Sequence, residues 1–170
     1  MKPATLSKAA TNAPLYRNYV RNTAPQGSDR YLCALNDDPT FSAWFLRNSS
    51  EVVGWIHAGL DFTRMGVPVV SLFLDYIYLE PDSRDHGLST TFAQLVGREL
   101  SSQFISSHEP PTLDDGMAPA LCVTTSATLM TEKSINCVRA FTYGFTDEIE
   151  RNSSYFIVQS DLQLSGPFSE

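Results

Sequence analysis

The chain has 170 residues, 42% hydrophobic and 18% charged, which fits one folded domain burying roughly 70% of the surface its unfolded chain exposes and excludes global disorder. No run approaches the ~20 apolar residues of a membrane span. A formal net charge of −7 argues against a protein that coats nucleic acid or anionic membrane, because such binding works through Lys and Arg.

The charge is uneven. Residues 1–35 carry Lys2, Lys8, Arg17, Arg21 and Arg30 against Asp29 alone, so the acidity belongs to the rest of the chain. Residues 1–14 show no apolar period, and residues 1–25 are expected to form a basic, mobile arm ahead of a single domain at 26–170. Three cysteines, Cys33, Cys122 and Cys137, are too few and of the wrong parity for a disulfide framework, and residues 1–30 hold no apolar segment of signal-peptide type. A reducing, cytoplasmic setting is therefore expected.

Leu15 to Asn22 reads as a short helix or an irregular segment, and Tyr31 to Leu35 as a short strand. Phe41 to Arg47 (FSAWFLR), the turn Asn48-Ser49-Ser50 and Glu51 to Leu60 (EVVGWIHAGL) form an antiparallel hairpin. Val67 to Leu79 is apolar on both parities, the mark of a strand buried on both faces, with Pro68 at its start and Pro81 beyond its end. Leu88, Phe92, Leu95, Val96, Leu100 and Phe104 trace one face of a helix over 88–107. Ala120 to Thr125 is a further buried strand, Thr131 to Thr142 a helix closing near Gly144, and Ser154 to Leu164 one strand or two joined at Asp161. The result is a mixed, mostly antiparallel sheet with flanking helices, an α/β (α+β) domain.

The segment with chemical content is Leu79 to Ser89 (LEPDSRDHGLS), a turn between a buried strand and a helix start. A helix start presents unpaired N–H groups and the positive end of its dipole, and therefore suits an anion such as a pyrophosphate. Gly87 allows the backbone to approach a ligand closely, and Arg84 adds a charge. Taken alone, Gly87 is also what a tight strand-to-helix turn requires.

Leu79, Pro81, Arg84, Gly87 and Ser89 match the spacing Val-x-Pro-x-x-Arg/Gln-x-x-Gly-x-Gly/Ala. With the hairpin before it and the triplet Tyr143-Gly144-Phe145 after it, the stretch from about 31 to 164 resembles the GNAT (general control-related N-acetyltransferase) acyltransferase superfamily. The resemblance implies a GNAT-like acyl-CoA-binding fold. It places the pantetheine arm of acetyl-CoA, the co-substrate, beside Ile77, Tyr78 and Leu79. It places the pyrophosphate on Asp85, His86, Gly87, Leu88, Ser89 and Thr90, with Arg84 and Asn136 in reach, and the thioester in a gap between Val67–Leu79 and Ala120–Thr125.

The sequence departs from the family pattern in four ways. Ser89 stands where Gly or Ala is usual. Asp85 sets a negative charge inside the phosphate loop, with His86 beside it. Ala140 stands where a Tyr often serves as the acid for the leaving thiolate. The two helices usual between the first two strands have no room between Leu35 and Phe41.

Among candidate catalytic residues, Asp75 lies mid-strand between apolar neighbours, where a desolvated carboxyl suits a general base; a structural aspartate is the alternative. A backbone N–H near Leu79 is placed to polarise the thioester carbonyl. Tyr143 is the nearest candidate acid, ahead of Tyr155 and Ser126. His57 on the hairpin is expected to be half-buried and structural, and with His108 shows no metal-ligand spacing, so no metal site is expected.

The implied activity is an acetyl-CoA-dependent N-acetyltransferase working by direct attack of a primary amine in a ternary complex. Its acceptor would be a cationic small molecule or a protein amine, drawn by the acidic body. No nucleic acid or membrane partner is expected, and the exposed edge of the C-terminal strand allows a monomer or a homodimer. A catalytically degenerate GNAT-fold module binding acyl-CoA or a protein is the alternative, and an adaptor docking through its basic arm a third.

Overall fold

The computed structural model describes residues 3–9, 14–23, 40–64, 66–110, 116–129 and 131–167. Six strands, β1 (Ala4–Lys8), β2 (Phe41–Asn48), β3 (Glu51–Thr63), β4 (Val69–Leu79), β5 (Ala120–Thr128) and β6 (Phe156–Ser165), lie side by side in chain order. The first three contacts, from β1 to β4, are antiparallel and the last two parallel. Each parallel step needs a crossover, and the two long helices supply them: α2 (Leu88–Ser107) joins β4 to β5, and α3 (Ser134–Asn152) joins β5 to β6. The hairpin, the long strand and α2 stand where their patterns place them, and β6 is a single strand.

Both crossover helices cover one face of the sheet. Phe92, Val96, Leu100 and Phe104 of α2 and Val138, Phe141, Phe145 and Ile149 of α3 join Leu46, Ile56, Leu72, Leu121 and Val123 in the main core. The helices cross at two glycines. A Cβ on Gly97 would stand 2.1 Å from the Phe141 carbonyl oxygen, and one on Gly144 would stand 2.2 Å from that of Gln94. Gly144 therefore does not close the helix as expected. It lies inside α3, which runs on to Asn152 because Phe145 and Ile149 continue its apolar stripe.

The N-terminal arm is the largest correction. Ala4–Lys8 pairs antiparallel with Trp44–Asn48 as the edge strand β1, and α1 (Pro14–Thr23) packs on the sheet face opposite the long helices. Tyr16 and Val20 of α1 are fully buried, with the Tyr16 ring edge-on to Phe45 and Trp55 at 5.7 and 6.5 Å. The Trp55 indole donates to the Thr23 hydroxyl (2.8 Å), and the Tyr19 hydroxyl donates to Glu80 (2.5 Å). Two aromatic anchors three residues apart, Tyr16 and Tyr19, thus bind a segment in which Arg17 is half-buried and Arg21 exposed. Helical structure does stand between the first two strands, since the first strand is Ala4–Lys8. The strand expected at Tyr31–Leu35 falls outside the described residues.

Candidate active site

Two irregularities in β4 shape the site. The first is a bulge. His57 pairs with Tyr76 and Ala58 with Leu74, so Asp75 is the extra residue on β4. An inserted residue reverses the side-chain alternation of everything beyond it. Leu72 and Leu74 point into the core under the long helices, and past the bulge Ile77 and Leu79 do so, while Tyr76 and Tyr78 turn to the α1 face.

The second irregularity is a split. The β4–β5 ladder runs from Val69/Cys122 to Leu74/Ala127 and stops there, while β4 continues to Leu79. Neighbouring residues of a strand send their backbone groups to opposite sides. The Tyr78 carbonyl lies against Gly54 of β3, where a Cβ would stand only 2.0 Å from it. Ile77 and Leu79 accordingly direct their N–H and C=O groups into the split, where the Leu79 carbonyl accepts the Arg84 Nε–H (2.8 Å).

At the bulge, Asp75 Oδ2 meets His57 Nδ1 at 2.7 Å. The His57 side chain is 1% exposed and that of Asp75 15%. The imidazole lies flat on the Phe41 ring, 4.9 Å between centroids and 9° between planes, and Phe41 in turn meets Phe73 at 5.7 Å. Asp75, Phe41 and Phe73 line a cleft of about 430 Å³ with Ser126 and Thr128 of β5 and Gln163 of β6. Its floor is the point where β4 and β5 part. His57 is thus fully buried rather than half-buried and holds in place the one carboxylate among the described residues that line this cleft. Its side-by-side position with Asp75 depends on the bulge, which sequence alone does not reveal.

Beyond the split lies the helix start. Pro81–Ser83 forms a single 3₁₀ turn, and Asp85 and Gly87 both adopt positive φ (64° and 72°) before α2 begins. Gly87 has open space where a Cβ would be. The start of α2 has no side-chain cap and no acid in its first turn. The amides of Leu88, Ser89 and Thr90 precede the first intrahelical bond, which Thr91 N–H makes to the Gly87 carbonyl. Such a start favours an anion by its open donors and its dipole.

The Asp85 carboxylate, which opposes an anion, faces the Lys133 ammonium at 3.8 Å, with both side chains exposed. Ser89 hydrogen-bonds the Cys137 thiol, which brings the start of α3 against that of α2; burial pushes that thiol up, and the Ser89 contact lowers it by less. Asn136, one residue earlier on α3, is exposed beside this opening. The Arg84 guanidinium lies 5.5 Å over the Tyr78 ring, and His86 is exposed.

The candidate acids fare differently. Tyr143 stands on the outer side of α3, 53% exposed, and does not line the cleft. Tyr155 is buried in the main core, its hydroxyl 3.5 Å from the His108 carbonyl. Ser126 is the candidate that the structure brings beside Asp75. Among the described residues no group of three His, Cys, Asp or Glu side chains is placed to hold a metal ion, and no helix is long and apolar enough to cross a membrane.

The split of the fourth strand from the fifth and the uncapped helix start after it are features expected of a GNAT-like acyl-CoA-binding fold. The chain has that fold. The aminoglycoside N-acetyltransferase AAC(6')-Iy, solved with the bisubstrate analogue CoA-S-monomethyl-acetylneamine, matches it with a TM-score of 0.51 and 13% identity over 82% of this chain and 90% of that one. The aminoglycoside acetyltransferase meta-AAC0020 from an uncultured soil metagenomic sample, solved with trehalose, has a TM-score of 0.48 and 11% identity over 82% and 87% of the two chains. A ribosomal-protein-alanine N-acetyltransferase from Brucella melitensis biovar Abortus 2308 has 0.44 and 16% over 62% and 72%. No protein-family model and no curated protein matches the sequence. At such identities the likeness speaks for the fold.

Proposed function

We propose that the protein is an acetyl-CoA-dependent N-acetyltransferase acting on a primary amine by direct transfer in a ternary complex. The observation that carries this reading is the β4 split, which leaves backbone groups of Ile77 and Leu79 facing a gap inside the sheet that opens onto the uncapped start of α2. Acetyl-CoA matches both halves: an amide-bearing arm that adds like a strand beside Ile77–Leu79, and phosphates for the amides of 85–90 with Arg84 and Asn136 at the rim. Gly87, with nothing within 4 Å of a Cβ, leaves the room such a ligand needs.

The bound co-substrate supplies an activated acetyl thioester. Asp75 holds the incoming ammonium in the cleft and accepts one proton from it, freeing the nitrogen lone pair. His57, donating from Nδ1, holds the carboxylate in position at the cleft. The Leu79 N–H, directed into the split, is placed to stabilise negative charge on the carbonyl oxygen. The C–N bond forms, the C–S bond breaks, and the second proton on the attacking nitrogen passes through water or the Ser126 hydroxyl to the departing sulfur.

Acetyl-CoA at ~100-fold excess over its Kd should stabilise the protein by ~2.7 kcal/mol, and free thiol should appear when an amine is added. No thermal shift at millimolar acetyl-CoA overturns the proposal. Binding without turnover over a broad amine panel favours the degenerate-module reading, which Ala140, packed against the core without a hydroxyl, supports.

A further inference from the structure

The turn between β4 and α2 is shaped by local bonds. Ser83 N–H donates to the Glu80 carbonyl (2.9 Å), Arg84 N–H to the Pro81 carbonyl (3.3 Å) and Arg84 Nε–H to the Leu79 carbonyl (2.8 Å). Pro81 brings no donor of its own. The Lys133–Asp85 pair, exposed on both sides at 3.8 Å, is of the kind that contributes little. Bonds within a turn set its shape and leave its angle to the sheet free.

Glu80, between the strand and the 3₁₀ turn, supplies what they lack. Its N–H donates to the Val53 carbonyl of β3 (2.7 Å). Its half-buried carboxylate collects hydroxyls from two elements: Oε1 accepts from Tyr19 of α1 (2.5 Å), 61 residues away in the chain, and Oε2 from Tyr78 of β4 (3.4 Å). The two phenol rings meet edge to face at 6.3 Å, and the Tyr78 ring lies beneath the Arg84 guanidinium. The helix that offers Tyr19 is itself fixed, because Tyr16 and Val20 are fully buried. A hydrogen bond to a carboxylate, partly shielded from water, is a strong one.

We infer that Tyr19 is a positioning residue for acetyl-CoA: through Glu80 it holds the turn at 80–87 at the angle where the β4 split and the open amides of α2 meet one ligand. This inference rests on the acetyl-CoA reading and adds to it a residue from the opposite face of the sheet. If loss of the bond leaves the competent turn populated about a fifth of the time, the apparent Kd rises about fivefold.

The test is calorimetry of the full chain with acetyl-CoA well below Tm, beside thermal denaturation and hydrogen exchange. Tyr19→Phe removes the hydroxyl and keeps the ring. Glu80→Gln keeps an acceptor for Tyr19 and Glu80→Ala removes it; both delete the same charge, so their difference reads the hydrogen bond. The Kd should rise about fivefold in Tyr19→Phe over the parent and in Glu80→Ala over Glu80→Gln. Tyr19→Phe should add nothing in the Glu80→Ala background, and amides of residues 82–90 should exchange faster in Tyr19→Phe. A lowered Tm with unchanged Kd in Tyr19→Phe marks the bond as structural and overturns the inference. So does Glu80→Gln binding no better than Glu80→Ala, or a Tyr19→Phe effect undiminished in the Glu80→Ala background. If Tyr19→Phe does not fold, the Glu80 pair decides. A parent chain that does not bind acetyl-CoA overturns the acetyl-transfer reading and the inference together, whereas parental binding indifferent to Tyr19→Phe overturns the inference alone.

Discussion

Replacing Asp75 by Asn separates a catalytic carboxylate from a structural one. An Asn side chain keeps an oxygen that accepts from His57 Nδ1, now 2.7 Å from Asp75 Oδ2, so the buried imidazole keeps its partner. What is lost is the charge on that bond. Charge-assisted hydrogen bonds contribute about 1.5–3 kcal/mol and neutral ones about 0.5–1.5, so the fold should lose about 1 kcal/mol. For a chain of this length that lowers Tm by about 2–4 °C. The chemistry should suffer far more, because the amide cannot accept a proton at neutral pH. General-base catalysis contributes about 10²–10⁴-fold, equivalent to about 2.7–5.4 kcal/mol of barrier. Loss of the ammonium's ion pair should also raise the amine KM by about tenfold. Acetyl-CoA affinity should not change, because the Arg84–Thr90 turn lies beyond the other end of the split. Thermal denaturation, calorimetry with acetyl-CoA and a thiol-release assay read these three quantities. A kcat within threefold of the parent refutes the base assignment. So does a Tm loss above about 10 °C, which would mark the carboxylate as structural.

Gly97→Ala sets a Cβ 2.1 Å from the Phe141 carbonyl oxygen, so α2 and α3 must separate. Overpacking costs about 1–3 kcal/mol, against about 1 kcal/mol of intrinsic helix gain. Tm should fall in thermal denaturation, and a rise would refute the close crossing. Alkaline stability tests the buried phenols. Burial raises Tyr16, Tyr19 and Tyr76 above their ordinary value and likewise raises the Cys137 thiol. The unfolded chain therefore releases these protons first, and stability falls as pH rises past the ordinary cysteine and tyrosine values, about 8.5 and 10. Tm should be level at neutral pH and decline above about pH 9; a level Tm to pH 11 contradicts the buried placement.

Periodicity sets what could be read from the chain alone. The stripe from Leu88 to Phe104, the hairpin with its aromatic first strand and the strand read over Val67–Leu79, observed at Val69–Leu79, each extend over enough residues that packing could only agree with them. The turn before α2 was also legible, because Pro81 and Gly87 act through local backbone geometry. Where local pattern is short, tertiary contacts decided. Ala4–Lys8 carries one aliphatic side chain beyond alanine, and it becomes a strand because β2 offers it an open edge. Tyr16 and Val20 become core because Phe45 and Trp55 lie beneath them.

The candidate site divides along the same line. The sequence alone determined a helix start after a buried strand, and Asp75 within that strand. The tertiary structure alone decided that Asp75 is the bulged residue, that His57 stands 2.7 Å behind it and that Phe41 joins it to an aromatic wall. Register between strands and the position of a bulge depend on how whole faces pack, and no local pattern encodes them.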